Sequence, residues 1–255
     1  MHPVLEIHDL TVSYNGRAAL EEISFSVQPG QRVAIVGPNG AGKSTLFKAV
    51  VGLLPVRAGR VETHGAEVGY VTQRSAVDWS FPVTVHDVVM MGRVAKMGWL
   101  RWQRPSDRDM VQQCLAEVGM LEQAGRQIGE LSGGQQQRVF IARALAQEAS
   151  ILLMDEPFSG VDAPSQEGIL EILERLHRRG VTVLVSTHDI NLAVERFDRL
   201  ALLNGHLVAY GLPRQAITPQ TLVAAYGGQA LWRGEDYALL LGDIDCCGET
   251  EHEHD

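Results

Sequence analysis

No run of about 18 apolar residues occurs anywhere in this chain of 255 residues, although 45% of them are hydrophobic, so no segment can span a membrane by itself. The N-terminus, MHPVLEIHDL, lacks a basic segment followed by an apolar one, and no export signal is expected from it. Cysteine is scarce: three residues without a paired framework fit a reducing cytosol better than a disulfide scaffold. Positive charge is short as well, with 22 Lys and Arg against 31 Asp and Glu and a formal net charge of −9. That balance argues against general nucleic-acid binding, because a duplex binder carries a basic stripe. Six of the acids fall in the last fourteen positions, where there is no Lys or Arg, and taking those six charges from −9 leaves a body of −3 that favours no particular partner. The remaining composition is ordinary, and the length suffices for one large or two small domains with a sizeable core.

The most specific local signal is GPNGAGKST, Gly37 to Thr45, which follows the apolar run Arg32-Val33-Ala34-Ile35-Val36 and precedes Leu46-Phe47-Lys48-Ala49-Val50-Val51. The pattern G-x-x-x-x-G-K-[ST] cradles phosphate when backbone N–H groups converge at a helix N-terminus, and the strand–loop–helix setting here meets that condition. Gly37, Gly40 and Gly42 let the chain curl around Pro38, Asn39 and Ala41. Lys43 is placed to reach the β- and γ-phosphates and Ser44 to ligate Mg²⁺, with Thr45 continuing the cradle.

Residues 4–27 alternate apolar and polar positions in two runs broken at Tyr14-Asn15-Gly16, which predicts an antiparallel hairpin with Val12 and Tyr14 on one strand face. Tyr14 is placed either to stack on an adenine ring or to serve as an ordinary strand-end aromatic. The helix after the phosphate loop is expected to stop at Gly52-Leu53-Leu54-Pro55, with short strands near Arg60-Val61 and Val68–Val71 leading to Gln73. From about Thr84 to Glu130 the pattern is helical, and Met110, Val111, Cys114, Leu115 and Val118 mark one core face.

Leu131-Ser132-Gly133-Gly134-Gln135 opens a further helix to Ala146, offering a second terminus with accessible N–H groups for an anion. Ile151–Met154 reads as a buried strand ending in Asp155-Glu156-Pro157, and two acids in that place are costly unless they meet a cation or polar partners. Asp155 is suited to supporting Mg²⁺ and Glu156 to polarising a water. Residues 163–179 form an amphipathic helix through Ile169, Ile172, Leu173 and Leu176, and Val181–Val185 forms another buried strand with His188 just beyond its end. A helix over 190–196 and strands over 198–210 complete an α/β core with a mostly parallel sheet and an inserted helical subdomain.

GPNGAGKST, Gln73, LSGGQQQR, ILLMDEP, SGVD and STHD, in that order, resemble the ATP-binding-cassette ATPases over about residues 4–227. The resemblance implies a P-loop NTPase core with an N-terminal antiparallel β-subdomain and an α-helical subdomain over about 84–146, followed by an extension over 228–255. It assigns adenine stacking to Tyr14, Mg²⁺ sensing and a link to the membrane partner to Gln73, and the general base to Glu156. Ser132, Gly133, Gly134 and Gln135 become the signature that closes on ATP held by a second copy, Asp162 a contact across that dimer, and His188 a γ-phosphate contact. Ser159-Gly160-Val161-Asp162 departs from the SALD common in the family but keeps the aspartate.

The segment SAVDWSFPVTVHDVVMMGR, continued by MGWLR, resembles the importer subfamily for manganese, zinc and iron. ATP and Mg²⁺ are the implied cofactors. The implied partners are a second copy of the chain, integral membrane permease subunits and, indirectly, an extracytoplasmic metal-binding protein; the implied place is cytoplasmic, on the inner membrane face. Trp79, Phe81 and Pro82 are candidates either for permease contact or for packing inside the helical subdomain, and Met90 and Met91 are expected in the core rather than as metal ligands. Cys246, Cys247, His252 and His254 stand among carboxylates in the tail, a donor set suited to borderline divalent metals, against the alternative of a disordered acidic tail.

Overall fold

The computed structural model describes residues 2–14, 16–73, 81–97 and 102–227 in full, together with the backbone of a short strand pair at 230–231 and 240–241. Two sheets and a set of helices make three layers. The first sheet is antiparallel, with β1 (Leu5–Tyr14) between β2 (Arg17–Val27) and β4 (Ala58–Glu62). The predicted hairpin is present, but a register shift falls between Val12 and Ser13, so the strict alternation that put Val12 and Tyr14 on one face does not carry through. Val12 is buried and Tyr14 is 43% exposed.

The second sheet has six strands in the order β5-β6-β7-β3-β8-β9, built from β3 (Arg32–Val36), β5 (Val68–Val71), β6 (Ile151–Asp155), β7 (Thr182–Thr187), β8 (Arg199–Leu203) and β9 (Leu207–Gly211). All pairings are parallel except β8 with β9, as a mostly parallel sheet requires. Both faces are covered, which is why these strands read as unbroken apolar runs. The pleat sends alternate residues into separate cores: Ala34, Val36, Leu152, Met154, Val183, Val185, Leu200 and Leu202 into one, Val33, Ile35, Ile151, Leu153, Leu184, Ala201 and Leu203 into the other.

The first core is closed by α2 (Val85–Met90), α3 (Pro105–Glu117), α4 (Gly133–Ala146), α5 (Ala163–Arg178) and α6 (Ile190–Arg196). Helix α5 buries Ile169, Ile172, Leu173 and Leu176, the stripe expected from its period. The second core is closed by α1 (Lys43–Val50) and the antiparallel sheet. Between 84 and 130 the helical pattern resolves into short pieces: Thr84 caps α2 through a reciprocal capping box with Asp87, and a 3₁₀ segment, Met91–Lys96, follows directly. Two short helices, α7 (Pro213–Ala216) and α8 (Pro219–Tyr226), end the fully described chain, and the strand pair is β10 (Ala230–Leu231) and β11 (Leu240–Leu241).

Because β6, β7 and β3 are adjacent and parallel, the segments leaving their carboxyl ends lie side by side. Asp155 pairs with Ser186, and Thr187 pairs with Val36, the last strand residue before the glycine loop. In open α/β sheets ligands bind outside this edge, where the chain leaves the sheet in different directions.

Candidate nucleotide site

The loop Gly37–Gly42 connects β3 to α1 and packs too closely for side chains at two points. A Cβ on Gly37 would lie 2.2 Å from the carbonyl oxygen of Leu203, and one on Gly42 would lie 2.4 Å from Leu20 Cδ2. Gly42 also takes a φ of +93°, in the region glycine adopts without steric cost. The loop is thereby held with its backbone open toward the pocket above α1.

Lys43 sits at the first position of α1 and is only 6% exposed. Its ammonium donates to the carbonyl oxygens of Gly37 at 2.8 Å and Pro38 at 3.0 Å, and lies 3.9 Å from Glu156 Oε1. Burial lowers its pKa, opposed by the carboxylates of Glu156 and Asp155. Two of its three donors are used on the loop, leaving one for a ligand. Ala19, Asn39, Gly40, Ala41, Gly42, Lys43, Ser44, Thr45, Gln73 and Glu156 line a pocket of about 470 Å³, within the size range of small-molecule sites.

Asp155 is 2% exposed and both of its oxygens are held. Oδ1 accepts the hydroxyl of Ser186 at 2.6 Å and Oδ2 accepts that of Tyr70 at 3.2 Å. Burial, followed by the charge of Asp155, pushes the Tyr70 phenol far above its ordinary range, so it remains a donor at any physiological pH. Glu156 has a φ of +46°, a left-handed conformation that costs a non-glycine residue about 1–3 kcal/mol. Its amide donates to Ser186 Oγ at 2.9 Å, and its Oε2 accepts from Gln73 Nε2 at 3.4 Å. Outlying backbone of this kind gathers at functional sites, where the surroundings over-determine it.

The donor chemistry fits magnesium phosphate. In the pocket lining Ser44 offers a hydroxyl and Gln73 an amide oxygen, hard oxygen donors of the kind Mg²⁺ takes, with the Asp155 carboxylate buried on Ser186 and Tyr70, and the glycine cradle leaves the space that side chains would fill.

The second expected anion terminus lies elsewhere. Ser132 caps α4 in a reciprocal box, with its Oγ accepting the Gln135 amide at 3.4 Å and its own amide donating to Gln135 Oε1 at 3.0 Å. Ser132 is exposed, and none of Ser132 to Gln135 lines the phosphate pocket. Gly134 is wedged against Ser165, whose Cβ would be 2.4 Å from a Cβ at 134. The Ser165 hydroxyl also holds the exposed carboxyl of Asp162 below its usual range. Signature and aspartate thus share one surface through Ser165.

Residues 20–159 match the profile of the family described as "ABC transporter". The chain belongs to the ABC transporter family. It is 46% identical over 248 residues to the manganese transport system ATP-binding protein MntB of Halalkalibacterium halodurans, covering 94% of this chain and 99% of that protein. It is also 46% identical, over 232 residues, to the zinc transport system ATP-binding protein TroB of Treponema pallidum, covering 88% and 87%. A chain from an inward-facing ABC transporter assigned to the metal-chelate type superposes with a TM-score of 0.82 at 30% identity, covering 89% of each.

Among the residues singled out by resemblance to ABC transporters, the structure gathers Gly40 to Thr45, Asn39, Gln73 and Glu156 around one pocket, with Gly37 and Pro38 accepting from Lys43 and Asp155 beneath. Tyr14 and His188 are exposed and do not line it, and Asp162 lies with the signature. Phe81 is 62% exposed and Pro82 is exposed, which disagrees with packing inside the subdomain; Trp79 lies outside the described residues. Met90 is buried as expected, but Met91 is 46% exposed, a correction to its core placement. The cause is local: α2 ends at Met90 and the tighter 3₁₀ turn starts at Met91, rotating that side chain off the apolar stripe. Cys246, Cys247, His252 and His254 lie outside the described residues. Among the described residues no helix is long and apolar enough to cross a membrane.

Three residues that touch this site drew no assigned role from sequence: Tyr70, Ser186 and Ala19. A signal for Ser186 did exist. It is a polar residue directly after the apolar stretch Val183–Val185, one position past the expected strand end at Val185.

Proposed function

We propose that this chain is the ATP-hydrolysing subunit of an importer for a divalent transition metal, manganese ahead of zinc or iron. The observation that carries this reading is the nearly full-length 46% identity to a manganese transport ATP-binding protein, together with the assembled phosphate pocket. The segment Ser75–Arg93 and its continuation to Arg101 support the same subfamily.

Lys43 and the loop amides bind the β- and γ-phosphates. Ser44, Gln73 and, from behind, Asp155 would hold Mg²⁺, which would supply positive charge to offset that of the phosphates. Glu156 takes a proton from the attacking water, and Gln73, bonded to its carboxylate, holds it over the pocket. His188 contacts the γ-phosphate and Tyr14 stacks on the adenine, both from exposed positions outside the pocket lining.

One chain then holds two half-sites. Ser132 to Gln135 of a second copy cap the nucleotide, Asp162 contacts across the interface, and two chains placed head-to-tail complete two sites. ATP stabilises the closed pair, and hydrolysis removes the contacts that hold it, supplying motion to a membrane permease docked near Phe81 and Pro82. Residues 1–227 form the ATPase domain, with the helical subdomain over about 84–146 and an extension from 228 to 255. The subunit resides on the inner membrane face through the permease, with an extracytoplasmic metal-binding protein supplying the cargo.

Reconstitution with the permease tests this reading. ATP-dependent uptake of Mn²⁺ ahead of Zn²⁺ and Fe²⁺ is expected, and absence of uptake for all three overturns it. Glu156→Gln is expected to retain ATP while slowing phosphate release by about 10²–10⁴-fold; unchanged turnover removes the base assignment.

A further inference from the structure

We propose that Ser186 is a positioning residue for hydrolysis, one hydroxyl that ties the metal-supporting carboxylate of Asp155 to the backbone of Glu156 and holds Glu156 in its left-handed conformation. The proposal rests on the reading of Glu156 as the base and adds to it the group that sets where the base stands.

The geometry is specific. Ser186 is fully buried in the last turn of pleat before β7 ends, and parallel pairing places it opposite Asp155 on β6. Counting along the strands, Ile151, Leu153 and Asp155 share one face, and Leu184 and Ser186 share the same face, the side covered by α1. Tyr70, packed on that same core, reaches Asp155 from β5. A serine hydroxyl has one proton to give and two lone pairs to receive with. Ser186 gives its proton to Asp155 Oδ1 at 2.6 Å and receives the amide of Glu156 at 2.9 Å.

The two bonds have separate consequences. Tyr70 and Ser186 both orient Asp155, but of the two only Ser186 also reaches the main chain of Glu156, where it takes the amide while the carbonyl accepts from the Ser159 amide at 3.2 Å. That amide is the hinge of the strained turn at φ +46°. Without that acceptor the partly buried N–H would lose its partner beside a carboxylate, and the turn would relax toward an ordinary φ, swinging the carboxylate away from Gln73 and Lys43. A lost metal orientation alters cation binding, whereas a displaced base alters the chemical step at saturating nucleotide and metal.

The test uses the full-length chain with Ser186→Ala and Ser186→Thr. For Ser186→Ala the expected result is a fall in kcat of about 10–100-fold, the usual cost of removing a group that orients a metal ligand, with the KM for ATP changed less than about twofold. In addition, Mn²⁺ binding to the chain loaded with a non-hydrolysable ATP analogue, followed by electron paramagnetic resonance of the free ion, is expected to weaken. Ser186→Thr keeps the hydroxyl and is expected to recover most of the lost kcat. A kcat for Ser186→Ala within twofold of wild type overturns the proposal, as does a threonine variant no better than alanine, or loss of nucleotide affinity in step with kcat. If Ser186→Ala does not fold, Ser186→Cys, of similar volume and weaker donor strength, carries the same test, and wild-type kcat there overturns it. Glu156→Gln separates the underlying reading: unaffected turnover in that variant removes the base itself, whereas an impaired Glu156→Gln beside an unaffected Ser186→Ala removes only the role of Ser186.

Discussion

The N-termini of α1 and α4 begin with similar small-residue sequences, yet they stand in opposite states of completion. At α1 the lysine is buried, its ammonium is fixed on Gly37 and Pro38, and Gln73 and Glu156 line the opening, with the buried Asp155 next to Glu156 in the chain. At α4 the serine is exposed and its hydrogen bonds stay within its own first turn, to Gln135 and Gln136. A helix terminus binds an anion by itself only weakly, through a partial charge that water screens. What separates the two is the second layer of groups, which one terminus has within the chain and the other lacks. A terminus without that second layer suits the role proposed for α4, capping a nucleotide held by another copy.

The strongest way to break this comparison is Ser132→Arg. It is expected to leave nucleotide binding by the isolated chain intact while abolishing the ATP-dependent dimer in light scattering, with hydrolysis falling on the order of 10²–10³-fold; a normal dimer contradicts the shared site. Lys43→Ala acts on the other terminus and on binding itself, weakening ATP affinity by about 10–100-fold in calorimetry, and retained affinity contradicts the phosphate assignment. Gly42→Ala is expected to destabilise by about 1–3 kcal/mol through its positive φ, visible as a lower Tm, since its Cβ would also meet Leu20. The smallest effect is expected from Ser165→Ala. Asp162 titrates below its ordinary 3.8 in the folded chain, so its contribution to stability is present above that pH and lost as pH falls through the folded value. Removing the Ser165 hydroxyl returns the Asp162 carboxyl toward 3.8, readable by NMR titration, and an unmoved value refutes the link.

Much of this layout was legible in the residues because burial on both faces leaves a plain mark. Val33–Val36 and Ile151–Met154 are unbroken apolar runs, and the glycine loop between Val36 and Lys43 admits few conformations. Asp155 and Glu156 stood out as acids at the end of such a run. The role of Ser186 was hidden because it depends on which strands are neighbours and in what register, which a single run does not encode. The stretch 84–130 reads as one helical pattern, whereas its division into capped pieces and a 3₁₀ turn depends on local hydrogen bonds such as that between Thr84 and Asp87. The exposure of Met91 at the start of that 3₁₀ turn has the same cause.

The alternation of the central sheet has one more consequence, for tolerance of errors. Each of β3, β6, β7 and β8 feeds two cores at once, so a one-residue insertion or deletion within β6 would exchange the sides of Leu152 and Leu153 and turn Asp155 toward the helices instead of toward α1. Conservative swaps such as Leu153→Ile leave that parity untouched and are expected to be absorbed. The address of the carboxylate is therefore a count of residues more than a matter of their identity, and a frame slip of one in β6 is a more damaging lesion to this site than most substitutions along the strand.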